Sequence, residues 1–454
     1  MAQDPVLDRI AAHVSRVGSA ELPAAVRDAA RNFIADTLAV GAAGVNAPWR
    51  SAVLDTAAAV GGKAEATVWG SGERLPLAQA AMVNAFQVHS QEFDCVHEGA
   101  VVHAMATALP CTLGWAERQG GISGERLLRA VVVAVDVAAT LGLCSRAPMR
   151  FFRPANAGGF GAVAGLALLA GLSGEQIRDA LGIYYGQCAG TMQAHIEATP
   201  QLAMQVGFAA RAAVTALELA ARGMPGPRAP ISGPFGYFAL FEGAADPAPF
   251  DALGRAWRIC ELSHKPFATG RATHGGIDGL QRLMDAHQAT GEVVRGGRFL
   301  VPPLTFRLVG RPARRDMTIA YARLCLPYVG AVCLRRGTVG LDDFSAAACG
   351  DAVTLALADR LIVREDGNPD PNALGPVRVE LDLADGRTVA ADVAEVLGSP
   401  GNPLPLAAVQ EKFRACWGSV PALPETAGTA LWEAVSSIER LDDAARLGSW
   451  IRNP

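Results

Sequence analysis

The chain has 454 residues, with 40 Lys and Arg against 44 Asp and Glu and a formal net charge of −4. That balance excludes the broad basic footprint needed to grip nucleic acid. Hydrophobic residues make up 50% and charged residues 19%, which excludes a disordered chain and supplies a large core. At about 150 residues per domain, the length predicts two or three domains.

The first residues are amphipathic and carry early acids, without the apolar core and cleavage site of a signal peptide. Apolar stretches such as Ala130 to Leu143 are broken by Asp136 and are too short to cross a bilayer. The nine cysteines are an odd number without a CxxC pair, which predicts reduced, buried thiols in a cytoplasmic protein. No membrane or nucleic-acid partner is expected.

Helical signals dominate residues 1–262. Leu22 to Val45 and Leu77 to Val88 carry apolar residues near helical spacing, and Ala66 to Trp69 is an isolated strand signal. Leu127 to Leu143 is apolar nearly all round, which predicts a buried central helix. Gly159 to Leu172 is rich in small residues that let helices approach closely; it ends at Gly171, with Ser173 as the next N-cap. Gln205 to Arg222 reads as another helix, stopped by the Gly and Pro run at 223–227.

From 263 to 396 strands mix with helices. Phe299 to Val309 reads as a strand, and Val377 to Leu383 and Val389 to Val393 as a hairpin about Asp385-Gly386. Helices are expected at 274–290, 317–333 and 342–348, and 405–454 is helical again. The reading is mainly α: a large all-helical domain of 1–262, completed by 397–454, and a smaller α+β lid of 263–396.

Candidate chemistry concentrates in one window running from His89 through Glu92, Asp94, His97 and Glu98 to His103. Imidazoles and carboxylates this dense suit proton transfer near neutral pH. His89, His97 and His103 could also hold a metal, although no HExxH spacing occurs; a solvated helix end is the plain alternative. A second cluster, His264, Lys265, Arg271, Thr273, His274 and Asp278, falls at the proposed domain boundary, where ligand clefts form. Lys265 there could bind a carboxylate, act as acid or base, or be an exposed hinge lysine. The Gly-rich run 158–161 fits neither a phosphate loop nor a dinucleotide fingerprint and reads as helix packing.

These residues resemble the MmgE/PrpD family, which includes 2-methylcitrate dehydratases, cis-aconitate decarboxylases and iminodisuccinate epimerases. Val83 to His89 resembles its VNGxxxH, Glu92 to Cys95 its DFDD, and Gly207 to Ala210 its GxAA. Lys265-Pro266-Phe267 with Arg271, His274 and Asp278 resembles KPYPxxRxxHxxID, and Leu324 to Tyr328 resembles FSxPY. The resemblance implies a helical domain with an α+β lid, a cleft between them, a homodimer, and chemistry beside a carboxylate with neither metal nor organic cofactor. It implies Asp94 orienting a histidine, His103 as general acid or base, and Lys265 holding a carboxylate or an enolate. His89, His97, Arg153, Gln205, Arg271 and Tyr328 would shape the pocket for a small carboxylate. Where the family often has lysine and histidine before GxAA, this chain has Leu202 and Gln205, and Arg153 replaces a family histidine. Leu202 implies a substrate with less negative charge there, or one oriented differently. A hydro-lyase or an epimerase/isomerase is therefore expected over a decarboxylase. The alternative is an inactive member that binds a metabolite or partner.

Overall fold

Residues 4–453 are described by a computed structural model. Ten α-helices build the N-terminal half: α1 (Pro5–Ser19), α2 (Ala24–Ala43), α3 (Arg50–Ala58), α4 (Leu77–Ser90), α5 (Ala104–Gln119), α6 (Gly124–Leu143), α7 (Arg153–Ala170), α8 (Gly174–Tyr185), α9 (Gln193–Glu197) and α10 (Gln201–Ala221). A two-stranded ribbon, β1 (Ala66–Thr67) with β2 (Arg74–Leu75), precedes α4.

α6, apolar nearly all round from Leu127 onward, is buried as its sequence requires. Its Asp136 is satisfied there, accepting from His13 Nε2 at 3.0 Å and the Arg258 backbone N–H at 2.7 Å. α7 lies against α5, α6 and α10. A Cβ at Gly161 would overlap the Ala134 carbonyl, and one at Gly159 the Tyr184 hydroxyl, so the Gly run does serve helix packing. Gly171 ends the helix in the left-handed region at φ 65°, and Ser173 opens α8 with a capping box closed by Gln176. α10 is long and apolar enough to cross a bilayer by length and composition, longer than the stretches the sequence reading weighed, and 67% of that segment is buried inside the protein.

The second half holds α11 (His274–His287), β3 (Val294–Val301), α12 (Pro303–Val309), α13 (Ile319–Ala322), α14 (Leu326–Arg336), α15 (Ala346–Cys349), α16 (Ala352–Ala358), β4 (Leu361–Glu365), β5 (Val377–Leu383) and β6 (Thr388–Val393). The sheet order is β4-β3-β5-β6, with β3 and β4 parallel and the other pairs antiparallel. β5 alternates buried and half-buried residues, and α11 covers its buried face. The expected strand 299–309 stops at Val301. Pro302 has no N–H to give a ladder, and Pro303 has the fixed φ of a first helical position, so α12 starts there. The expected helix 317–333 divides into α13 and α14, because Pro327 begins a new helix.

The tail forms α17 (Leu406–Gly418), α18 (Glu425–Ser436) and α19 (Arg446–Trp450), and both α17 and α18 pack on α2. Lys412 of α17 reaches Asp36 of α2 at 2.6 Å and donates to the Phe93 carbonyl at 2.8 Å. The tail thus braces the loop that carries the candidate site.

Candidate active site

The site hangs on the loop between α4 and α5. His89 sits in the last turn of α4, and His103 is the residue before α5. Between them Glu92 and Val101 adopt left-handed backbone, at φ 50° and 52°. A β-branched residue there is strained, and such strain collects at functional sites. Antiparallel backbone bonds join Val96 to Ser263, at 3.1 and 2.8 Å, which brings Lys265 beside this loop.

Asp94, fully buried, is the hub. One of its oxygens, Oδ2, accepts from Nδ1 of both His89 and His103, each at 3.0 Å. Lys265 Nζ lies 3.8 Å from the other oxygen and 3.3 Å from Glu92 Oε2, and donates to the Glu92 carbonyl at 3.1 Å. The two imidazoles meet edge to face with centroids 4.7 Å apart. Since Asp94 fixes both protons on Nδ1, both Nε2 atoms are free for chemistry, and His89 Nε2 is buried without a hydrogen-bond partner.

Electrostatics splits the pair. Burial opposes charge on His89, but Asp94 and then Glu92 outweigh it and raise the His89 pKa. Burial also opposes charge on His103; there Asp94 fails to compensate, Lys265 adds to the opposition, and the pKa falls. Burial pushes Asp94 upward, yet the two imidazoles hold it well below the ordinary carboxylate range. Lys265 and the histidines likewise overcome burial to depress Glu92. The two imidazoles on the shared carboxylate are thus pushed in opposite directions, His89 toward its charged form and His103 toward its neutral one.

A cavity of about 70 Å³ opens on this pair. His89, Glu92, His103, His195 and Arg271 give it polar groups. The rest is mainly apolar: Met149, Phe152 and Met192 from the helical part, and Leu308, Val309 and Leu374 from the α+β part. It therefore lies between the two halves of the fold. A neighbouring cavity of about 50 Å³ shares His89, Glu92, Leu202 and Leu324 and adds Arg323. Arg323 is buried; its guanidinium donates to the carbonyls of Gln91 and Ala268 and to Gln91 Oε1. Burial lowers its pKa to about 10, so it remains a cation at neutral pH.

The structure brings His89, Asp94, His103 and Lys265 together, but Lys265 and Asp94 stand behind the wall rather than on it. Lys265 is not an exposed hinge residue; its wholly buried ammonium faces Glu92 and Asp94. Arg271 reaches the wall while paired with Glu98 at 2.8 Å. His97 turns away to Glu261 at 2.8 Å. Arg153 is buried against Glu242 at 3.2 Å and Ser145 Oγ at 2.9 Å; its flanking residues Phe152 and Pro154 line the cavity in its place. Gln205 is buried beside Gly190, one helical turn from Leu202, which holds the wall. Tyr328 donates to the Asp343 carbonyl at 2.9 Å within the α+β part. The sequence reading missed His195, which has no neighbouring motif, and Arg323, which immediately precedes the segment resembling FSxPY.

Donor atoms of His89, Asp94 and His103 lie within 4.8 Å of one another, near enough to converge on a cation. His97, expected as a third imidazole, is not among them. The Nδ1–H donors already occupy Asp94 Oδ2, and the Lys265 ammonium faces Oδ1. Both Asp94 oxygens are therefore engaged, and Asp94 has none left to ligate a cation.

Two imidazoles on one buried carboxylate thus open on a cavity between a helical body and a small α+β unit, in a two-domain α-rich fold. Residues 8–249 match the MmgE/PrpD N-terminal domain and residues 267–437 the MmgE/PrpD C-terminal domain. The chain belongs to the MmgE/PrpD family. It is 26% identical to the cis-aconitate decarboxylase-like protein oryM of Aspergillus oryzae, covering 90% of this chain and 89% of that one. It is 24% identical to the cis-aconitate decarboxylase of Aspergillus terreus, over 98% and 96% of the two chains. Identity to the Homo sapiens cis-aconitate decarboxylase is 25%, over 93% and 90%. These relatives are enzymes with a lyase-type reaction.

Proposed function

We propose that this chain is a cofactor-independent lyase or isomerase that moves a proton beside the carboxylate of a small acid. The observation that carries the reading is the pair itself: His89 and His103 share Asp94 through their Nδ1 atoms, both line the cavity, and their surroundings push them toward opposite protonation states. His103 takes the proton from the carbon next to the carboxylate. Asp94 stabilises the imidazolium that forms and keeps its orientation. The buried cations Lys265 and Arg323 offset the charge that develops on the enolate-like intermediate. His89 then delivers its proton, to a leaving hydroxyl in a hydro-lyase or to carbon in an epimerase.

A decarboxylase needs no base for a C–H bond, so the pair favours elimination of water or isomerisation. Leu202 on the wall points the same way. The mostly apolar lining favours an acid with fewer carboxylates than a tricarboxylate, since each buried carboxylate needs its own partner. A cytoplasmic location, read from the cysteines, and a homodimer, read from the family resemblance, complete the proposal; cell fractionation and light scattering test them.

Proton NMR in heavy water, with a panel of small mono- and dicarboxylates and hydroxy acids, tests the reaction. Exchange of an α-proton or appearance of an alkene is expected with wild type and not with His103→Asn, whose amide can still reach Asp94. Tight binding of an acid without exchange would replace catalysis by metabolite binding.

A further inference from the structure

His195 belongs to no part of the mechanism above, yet its ring faces the same cavity. It is 5% exposed, and its Nε2 is buried without any hydrogen-bond partner. Its other nitrogen is occupied. Arg311 Nη2 lies 3.3 Å from His195 Nδ1 and 3.0 Å from the His195 carbonyl. A guanidinium only donates, so Nδ1 must accept, and a neutral ring then carries its hydrogen on Nε2. Burial, with Arg311 and Arg307 nearby and Glu92 only partly offsetting them, lowers the ring's pKa to about 4 and keeps it neutral. The Leu308 carbonyl also lies within hydrogen-bond reach of the ring and would accept from it in the opposite tautomer; it sits 3.5 Å from Arg311 Nη2, which donates to it instead.

A buried donor with no acceptor is rare in a finished structure, and a ligand oxygen at that point would satisfy it. Met149, Met192 and Leu308 line the same cavity, so the ligand carries apolar surface next to that oxygen. We propose that His195, locked by Arg311 as the neutral Nε2–H tautomer, is a substrate-binding residue that donates to an oxygen of a small, singly charged carboxylic acid with an apolar chain. The proposal rests on reading this cavity as the active site. It gives His195 a donor role separate from the proton transfer assigned to His89 and His103.

Nitrogen NMR of the labelled full chain tests the tautomer without reference to turnover. The resonances lost in His195→Phe identify the ring. Wild type should show a pyrrole-type Nε2 and a pyridine-type Nδ1 throughout the neutral range, and Arg311→Met should mix the two tautomers. Titration with 2-hydroxybutyrate should move the Nε2–H signal in the direction of a stronger hydrogen bond. His195→Phe should weaken 2-hydroxybutyrate binding by about tenfold or more, the loss of one hydrogen bond to a charged partner. His195→Gln, which keeps a donor near Nε2, should recover most of it. An Nδ1–H tautomer, a protonated ring, or unchanged 2-hydroxybutyrate affinity in His195→Phe would overturn the proposal. Binding through His195 with no proton exchange on any acid would overturn the catalytic reading and leave this one standing.

Discussion

Replacing Lys265 by Met tests the charge balance behind the cavity wall. The ammonium is wholly buried, 3.3 Å from Glu92 Oε2 and 3.8 Å from Asp94 Oδ1. With an effective dielectric of about 20, each contact contributes roughly 4–5 kcal/mol of attraction. Desolvation of the three charges offsets much of this. Removing one partner of a buried pair while its counter-charge stays behind costs about 3–5 kcal/mol. Lys265→Met should therefore unfold in urea with a loss of that order. The charge also lowers the pKa of both His89 and His103, so both should rise without it. His103 must lose its proton to act, which sets the ascending limb of kcat/KM against pH; His89 must keep its proton, which sets the descending limb. Both limbs should move to higher pH. Wild-type stability, or limbs displaced to lower pH, would refute the placement of Lys265 between the two carboxylates.

Arg153→Leu should leave substrate KM unchanged and lower stability by about 3–5 kcal/mol, because it strands the buried Glu242; a raised KM with intact stability would return Arg153 to the cavity. Asp94 has a depressed folded-state pKa, so its contribution is fully present above the unfolded value of about 3.9 and is lost as pH falls through the folded one. Asp94→Asn should accordingly be less stable than wild type at neutral pH, with the gap closing in acid. A gap that persists unchanged in strong acid would contradict this charge assignment.

The legible parts of the fold were those written locally. Gly171 and Ser173 mark a real cap, and the all-apolar face of residues 127–143 marks a real buried helix. Residues 299–309 misled because β-branched and apolar residues suit a strand and a buried helix alike, and only the two prolines separate them. The site divides in the same way. His89, Asp94 and His103 fall within one short segment, so proximity in sequence became proximity in space. His97, Arg153 and Tyr328 carry the right chemistry but are claimed by Glu261, Glu242 and the Asp343 carbonyl, and for the first two the partner is 164 and 89 residues away. The Arg311 that orients His195 is 116 residues distant. Those pairings belong to the tertiary fold, and local composition carries no trace of them.

The central claim is that one imidazole removes a proton and the other returns it. The most direct measurement is α-deuterium incorporation and product formation, followed together in heavy water for His89→Asn and His103→Asn on an acid that the wild type turns over. The account predicts that His89→Asn still exchanges the α-proton but forms little product, while His103→Asn does neither. Loss of exchange in His89→Asn, with exchange intact in His103→Asn, would contradict it.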